Sequence, residues 1–148
     1  MGHPVEPELT LPSRLLGYGD RVAFSPGGEL VAGGEGNTVR IWQGDSEQVS
    51  KDLAGHKGEV WAVALDPRGR WLATAGEDTT IKIWDARSWQ LLMTLRGHTG
   101  FIMSLAFSPD GKKLASGGRD HKVKIWDTVR WTELPGSEGF TKTDDVPK

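Results

Sequence analysis

The sequence predicts an all-β repeat protein, built from four-stranded antiparallel sheets that stack face to face. Three observations carry this. Trp42, Trp84 and Trp126 stand at equal intervals, and they close three near-identical stretches, VAGGEGNTVRIW, LATAGEDTTIKIW and LASGGRDHKVKIW. A second triplet, VAFSPGG, VALDPRG and LAFSPDG, precedes them in the same order. A period of this size marks a repeat architecture. Finally, 20 of the 148 residues are Gly and 36% are hydrophobic, a turn-rich composition that suits many short strands better than helices.

The elements of one repeat follow from residues 55–96. Glu59 to Leu65 (EVWAVAL) is a continuous apolar run without strict alternation, as expected of a strand covered on both faces. Asp66-Pro67-Arg68-Gly69 is a turn, with Pro fixing φ at its second position and Gly supplying positive φ. Trp71 to Ala75 is a second strand, and Gly76-Glu77-Asp78 turns the chain again. Thr80 to Trp84 (TIKIW) alternates, placing Ile81 and Ile83 on one side and Lys82 and Trp84 on the other. Ser88 to Leu95 supplies a fourth strand before Gly97-His98 opens the next copy. Such a sheet cannot hide both faces alone and has to stack on a copy of itself.

Composition excludes several function classes. The formal charge is −2 and the pI about 6.1, so no electrostatic footprint for nucleic acid or an anionic membrane surface is present. There is no Cys, which removes disulfides, thiolate catalysis and cysteine-based zinc sites. No apolar run approaches the roughly 20 residues of a membrane helix. The opening MGHPVEPELT carries Glu6 and Glu8 where a secretion signal would be basic and then apolar, and Glu6 replaces the Ser or Thr of a myristoylation motif. The expectation is a soluble, cytoplasmic protein.

Gly55-His56 with Trp84-Asp85, and Gly97-His98 with Trp126-Asp127, resemble the WD-repeat (WD40) family of β-propellers. The resemblance implies a buried His–Ser/Thr–Asp–Trp hydrogen-bond network in each repeat. Its members would be His56, Thr74, Asp78 and Trp84, then His98, Ser116, Asp120 and Trp126, with each corresponding pair separated by the interval of the tryptophans. The chemistry is self-consistent, since Asp can accept from the imidazole while the hydroxyl bridges imidazole and indole. The first copy departs from the pattern. Gln43 follows Trp42, Ala32 replaces the hydroxyl residue, Gly36 replaces the Asp, and no His opens the copy. Its apolar framework survives and its polar network does not, as suits a terminal repeat.

The implied fold is therefore three four-stranded antiparallel blades of a WD40-type β-propeller, incomplete and open. The segments are residues 1–16 (an N-terminal stretch able to supply an outer strand), a degenerate blade over 17–53, blades over 54–96 and 97–134, and a polar tail over 135–148. Val129 to Leu134 is expected as the fourth strand of the last blade. Propellers have about four to eight blades, so three leave two apolar faces uncovered. Gly139-Phe140-Thr141 lies one full period after Gly97-His98-Thr99 and reads as the start of another repeat that then fails. Either the chain is part of a longer propeller or several copies complete a ring. Residues 17–53 carry three basic and six acidic groups and residues 97–134 six basic and four acidic, a weak pointer to head-to-tail contact between copies.

The periodic His and Asp residues already have a structural task, so no catalytic residue, cofactor or metal is expected, and no phosphate-binding loop, nucleophile elbow or His-Glu-x-x-His motif occurs. The resemblance instead implies docking at the rim of the central channel, where the innermost strand begins. Those positions are Glu59 and Trp61, Phe101 and Met103, and Tyr18 and Asp20. The residues before the network Asp join them, namely Glu77, Arg119 and Glu35 in the first copy. Aromatic anchors beside charges have the composition of a binding hot spot; packing of Trp61 and Met103 between blades is the competing reading. The implied function is a non-enzymatic interaction scaffold binding peptide or protein partners, with no nucleic acid and no membrane. A short self-assembling propeller, and a piece of a larger regulatory or catalytic protein, stand as alternatives.

Overall fold

The computed structural model describes residues 22–24, 30–33, 36–42, 49–135 and 140–141, and every regular element among them is a β-strand. Blade 1 comprises β1 (Val22–Phe24), β2 (Leu30–Gly33), β3 (Val39–Trp42) and β4 (Val49–Leu53). Blade 2 comprises β5 (Val60–Leu65), β6 (Trp71–Gly76), β7 (Ile81–Asp85) and β8 (Leu91–Leu95). Blade 3 comprises β9 (Ile102–Phe107), β10 (Lys113–Gly118), β11 (Lys122–Asp127) and β12 (Thr132–Glu133). Each blade is an antiparallel meander in sequence order. The first strands of successive blades touch, β1 with β5 and β5 with β9, so they form the inner side of an open arc.

Alternation along the strands determines which residues meet which neighbour. In blade 2, Val60, Val63, Leu72 and Trp84 turn toward blade 1 and bury with its Val39, Ile41 and Leu53. Ala62, Ala64, Ala73, Ala75, Ile81 and Ile83 turn the other way, against Ile102, Leu105, Leu114 and Trp126 of blade 3. Small Ala side chains on the inner strands and large Ile on β7 give the wedge shape that lets blades fan out. Ile81 and Ile83 are fully buried, each contributing about 1.5–3 kcal/mol through loss of apolar surface to water.

The faces at the ends of the arc differ from each other. On blade 3, Val123 is 41% exposed where its counterpart Ile81 is fully buried, and Ala106 is exposed where Ala64 is buried. At the other end Trp42 is only 4% exposed, so the first blade does not present its tryptophan to water.

Val60 and Val63 share a face although they are an odd number of positions apart, because the strand is bulged between them. Val60 pairs with Gly76 and Ala62 with Ala75, leaving Trp61 as the extra residue. Blade 3 repeats this, with Ile102 opposite Gly118, Ser104 opposite Gly117 and Met103 extra. A bulge of this kind re-aims one side chain at the edge of a sheet. It also explains why EVWAVAL shows no strict alternation. The bulge depends on a close backbone approach, since a Cβ at Gly76 would collide with the Glu59 carbonyl oxygen.

The outer strands are shorter than the sequence suggests. The expected Ser88–Leu95 strand is Leu91–Leu95, and Val129–Leu134 contracts to Thr132–Glu133. The Asp following each network tryptophan explains the loss. Asp85 Oδ1 accepts from the backbone N–H of Arg87 (2.7 Å) and Ser88 (3.2 Å), and the Trp89 N–H donates to the Asp85 carbonyl at 2.7 Å. Asp127 acts likewise on Val129 and Trp131. Trp89 and Trp131 consequently adopt φ of 60° and 56°, a left-handed conformation that strand-forming aromatic residues do not advertise. Phe140–Thr141, expected to open another repeat, forms a short strand β13 that pairs with Lys122–Val123 of β11 in the same blade.

Gly76→Ala is expected to destabilise the chain by about 1–3 kcal/mol through forced displacement of the bulge. Gly118→Ala, whose Cβ would meet nothing closer than 3.0 Å, is expected to cost less. Thermal melting of both variants checks this, and a Gly76→Ala melting temperature equal to that of the parent contradicts the bulge geometry.

Candidate functional site

The strands of blade 2 converge on one hydroxyl. The Trp84 indole Nε1–H donates to Thr74 Oγ1 at 2.9 Å, and Thr74 Oγ1 lies 2.7 Å from His56 Nε2. His56 Nδ1 is 2.9 Å from Asp78 Oδ2. The indole donates to the hydroxyl oxygen, and the Asp78 carboxylate can only accept from Nδ1, so in the neutral ring His56 Nε2 accepts the hydroxyl proton. Nδ1 then carries the ring proton and gives it to the carboxylate. The result is a neutral imidazole in a one-directional relay from Trp84 to Asp78. Asp78 is further held by the backbone N–H of Lys57 (3.1 Å) and by the N–H and hydroxyl of Thr80 (3.1 and 2.9 Å).

Blade 3 repeats the arrangement with Ser in place of Thr. Trp126 Nε1 donates to Ser116 Oγ at 3.0 Å, Ser116 Oγ lies 2.7 Å from His98 Nε2, and His98 Nδ1 lies 2.8 Å from Asp120 Oδ2. The N–H of Thr99 and of Lys122 complete the Asp120 shell; Lys122 stands where blade 2 has Thr80, so one hydroxyl donor is missing. His56, Thr74, His98 and Ser116 are all buried. Each hydrogen bond is worth about 1 kcal/mol net, whereas a stranded buried partner costs roughly 1–3 kcal/mol. Such groups tie a loop, two strands and a turn together, and they show no open position for a substrate. Among the described residues, no group of three or more His, Cys, Asp or Glu residues is arranged to hold a metal ion.

The second constellation lies at the rim, where β5 and β9 begin. Glu59 N–H donates to Glu77 Oε1 at 2.9 Å, and the Trp61 indole donates to Glu59 Oε2 at 3.1 Å. The backbone locks the same pairs, with Glu77 N–H on the Glu59 carbonyl (3.0 Å) and Arg119 N–H on the Phe101 carbonyl (2.7 Å). Across the junction between blades, the Trp61 and Phe101 rings meet edge to face at 5.6 Å. The Arg119 guanidinium stands 5.1 Å from the Trp61 ring and 5.4 Å from the Phe101 ring. Arg119 is exposed, and Trp61, Phe101 and Met103 are half-buried. None of the three belongs to the two apolar cores between blades, which weighs against Trp61 and Met103 as ordinary packing residues.

Glu59, Trp61, Glu77, Phe101 and Arg119 thus come together, with Met103 at the matching bulge of blade 3. Tyr18, Asp20 and Glu35 lie outside the described residues. Sequence reasoning missed Thr80 as a second hydroxyl on Asp78; its signal was the Asp-x-Thr spacing of a side chain bonding the backbone two residues on. It also missed the bulge glycines, visible as Gly76 and Gly118 at one period.

The family described as WD domain, G-beta repeat matches residues 20–43, 47–85 and 89–127. No curated protein matches the chain. Among solved structures, that of U3-55K is similar, with a TM-score of 0.72 and 24% identity, over 81% of this chain and 40% of that one. At this identity the likeness shows the fold, and this chain spans 40% of the neighbour's length.

Burial disfavours the imidazolium of His56 and, outweighing the pull of Asp78, holds its pKa below the ordinary 6.5. Burial pushes the Asp78 and Asp120 carboxyls up, but hydrogen bonds from His56 and His98 and from backbone N–H groups outweigh it, and both end below the ordinary 3.8. On acidification the unfolded chain therefore takes up protons before the folded one at all three groups. Stability is expected to be level above neutral pH, to begin falling below about pH 6.5 through His56, and to fall further below about pH 3.8 through the two Asp residues. Melting temperatures from pH 8 to pH 3 check this, and a rise between pH 7 and pH 5 contradicts it.

Proposed function

This chain belongs to the WD40 repeat family, whose members are generally non-enzymatic protein-interaction scaffolds, and from that premise we propose that it docks a peptide or protein segment on the rim between blades 2 and 3. The observation that carries this reading is Arg119 held over Trp61 and Phe101, at a position where both network histidines and both cores are already satisfied. An arginine stacked on aromatic rings loses little freedom on binding and keeps its donor fork available for a carboxylate. The half-buried rings beside it offer apolar area at low entropic cost, as hot-spot residues do. Glu59 and Glu77 flank this pair with negative charge, and Glu59 is occupied in orienting the Trp61 ring.

The partner that fits is a segment with an acidic side chain for Arg119 next to an apolar or aromatic one for Trp61 and Phe101. No reaction is assigned to the rim, because among the described residues no acid and base face a common substrate position there. A buried carboxylate–guanidinium contact is sensitive to charge reversal, and an aromatic anchor to truncation. Peptides selected on the purified chain are therefore expected to lose at least tenfold in affinity with either Trp61→Ala or Arg119→Glu, a loss of about 1.4 kcal/mol or more. Both variants are expected to melt near the parent temperature, since neither residue lies in the cores. If both keep full affinity while folded, the rim is not the docking surface.

A further inference from the structure

At the end of the strands opposite the rim, a cavity of about 320 Å3 opens between blades 2 and 3. Arg68 and Arg70 line it from the turn between β5 and β6, Lys112 from the turn between β9 and β10, and Lys113 from the start of β10. The repeat period brings them together. Arg70 and Lys112 hold the same place in successive copies, and stacking makes such positions neighbours. At the corresponding positions the sequence of the first copy reads SPGG, with no cation.

One of the four cations is already matched. Arg70 Nε donates to Asp66 Oδ2 at 2.8 Å, its Nη2 donates to the Gly111 carbonyl at 3.3 Å, and its guanidinium lies 3.9 Å from the Trp71 ring centroid. Asp66 is fully buried, and Gly111 makes room for it, since a Cβ there would stand 2.6 Å from Asp66 Oδ1. Arg68, Lys112 and Lys113 are different. Among the described residues, none of them has a carboxylate within ion-pair distance. The carboxylate of the lining, Asp127, accepts from the Val129 N–H at 2.8 Å. With Arg70 matched by Asp66, the three remaining cations stand against Asp127 of the lining and the neighbouring Asp110, which leaves a net positive charge around one cavity. Val129, 81% exposed, and Leu134 give the cavity an apolar edge.

We propose that this cavity binds a small organic phosphate carrying two or more phosphate groups. The charge excess matches such a ligand. Lysines act as point charges on phosphate oxygens, and Arg70, fixed by Asp66, Gly111 and Trp71, presents a rigid wall. The volume lies at the low end of small-molecule sites, enough for two phosphate groups on a short carbon frame, which rests on Val129 and Leu134.

The probe is inorganic pyrophosphate, titrated calorimetrically into the full chain, with citrate as a carboxylate of comparable charge. One site is expected, binding pyrophosphate at least tenfold more tightly than citrate and weakening as salt is raised. Lys112→Glu combined with Lys113→Glu, two exposed positions, is expected to weaken pyrophosphate at least tenfold. Arg96→Glu, an exposed arginine that does not line the cavity, is expected to leave it unchanged. Backbone amide resonances of Gly111 and Thr128 are expected to move on titration, locating the site independently of the variants. Absence of saturable binding overturns the proposal, as does citrate binding equal to pyrophosphate, or an equal loss in Arg96→Glu.

Discussion

In blades 2 and 3 a single hydroxyl sits between an indole that can only donate and an imidazole nitrogen that must accept, and the rest of each blade is arranged around that requirement. Thr74 satisfies Trp84 and His56 at once, at 2.9 and 2.7 Å; Ser116 does the same for Trp126 and His98 at 3.0 and 2.7 Å. Removing the hydroxyl strands two buried groups, not one, which is why the cost exceeds that of an average hydrogen bond. The relay anchors the His-bearing loop to the second strand, the second strand to the third, and the turn at Asp78 or Asp120 back to the loop. With Trp84 pinned this way, its ring is left facing blade 1, where it joins the core with Val39 and Ile41.

Polar anchoring inside a blade and apolar contact between blades therefore divide the work. The network orients each tryptophan, and the oriented tryptophan becomes the surface that stacks on the preceding sheet. Blade 1 has Ala32 and Gly36 at the hydroxyl and Asp positions and cannot form the relay. It still buries Trp42, Val39 and Ile41, so the apolar half of the scheme holds without the polar half. The end face of blade 3 shows the converse. Its relay is complete, yet Val123 stands 41% exposed because no further sheet among the described residues covers it.

Most of the fold was legible because its signals are periodic. The Trp spacing, the IKIW and VKIW alternation and the Gly-His dipeptides share one period, and the members of the relay meet as their spacing suggests. What escaped was local backbone chemistry. Trp89 and Trp131 look like strand residues, but the Asx-type bonds of Asp85 and Asp127 force them into left-handed conformations and shorten the outer strands. The bulges at Trp61 and Met103 escaped for a similar reason, since only a Gly opposite them, not the strand itself, announces the change of register. Glu59, Trp61, Glu77, Phe101, Met103 and Arg119 could be picked out singly as candidate partner-binding positions, but the crossing of Arg119 to the Trp61 of the previous blade is a tertiary fact. The basic cavity was invisible for the same reason, because Arg70 and Lys112 lie one whole repeat apart and become neighbours only when blades stack.

The central claim is the direction of the relay, with His56 neutral, protonated at Nδ1 and accepting at Nε2. Long-range proton–nitrogen correlation spectra of the imidazole ring at neutral pH test it most directly. The account predicts a pyrrole-type Nδ1 and a pyridine-type Nε2 for His56, together with a Trp84 indole proton that exchanges slowly with solvent. An imidazolium, or a ring protonated at Nε2, would contradict it, because the buried Thr74 hydroxyl proton would then lose His56 Nε2 as its acceptor.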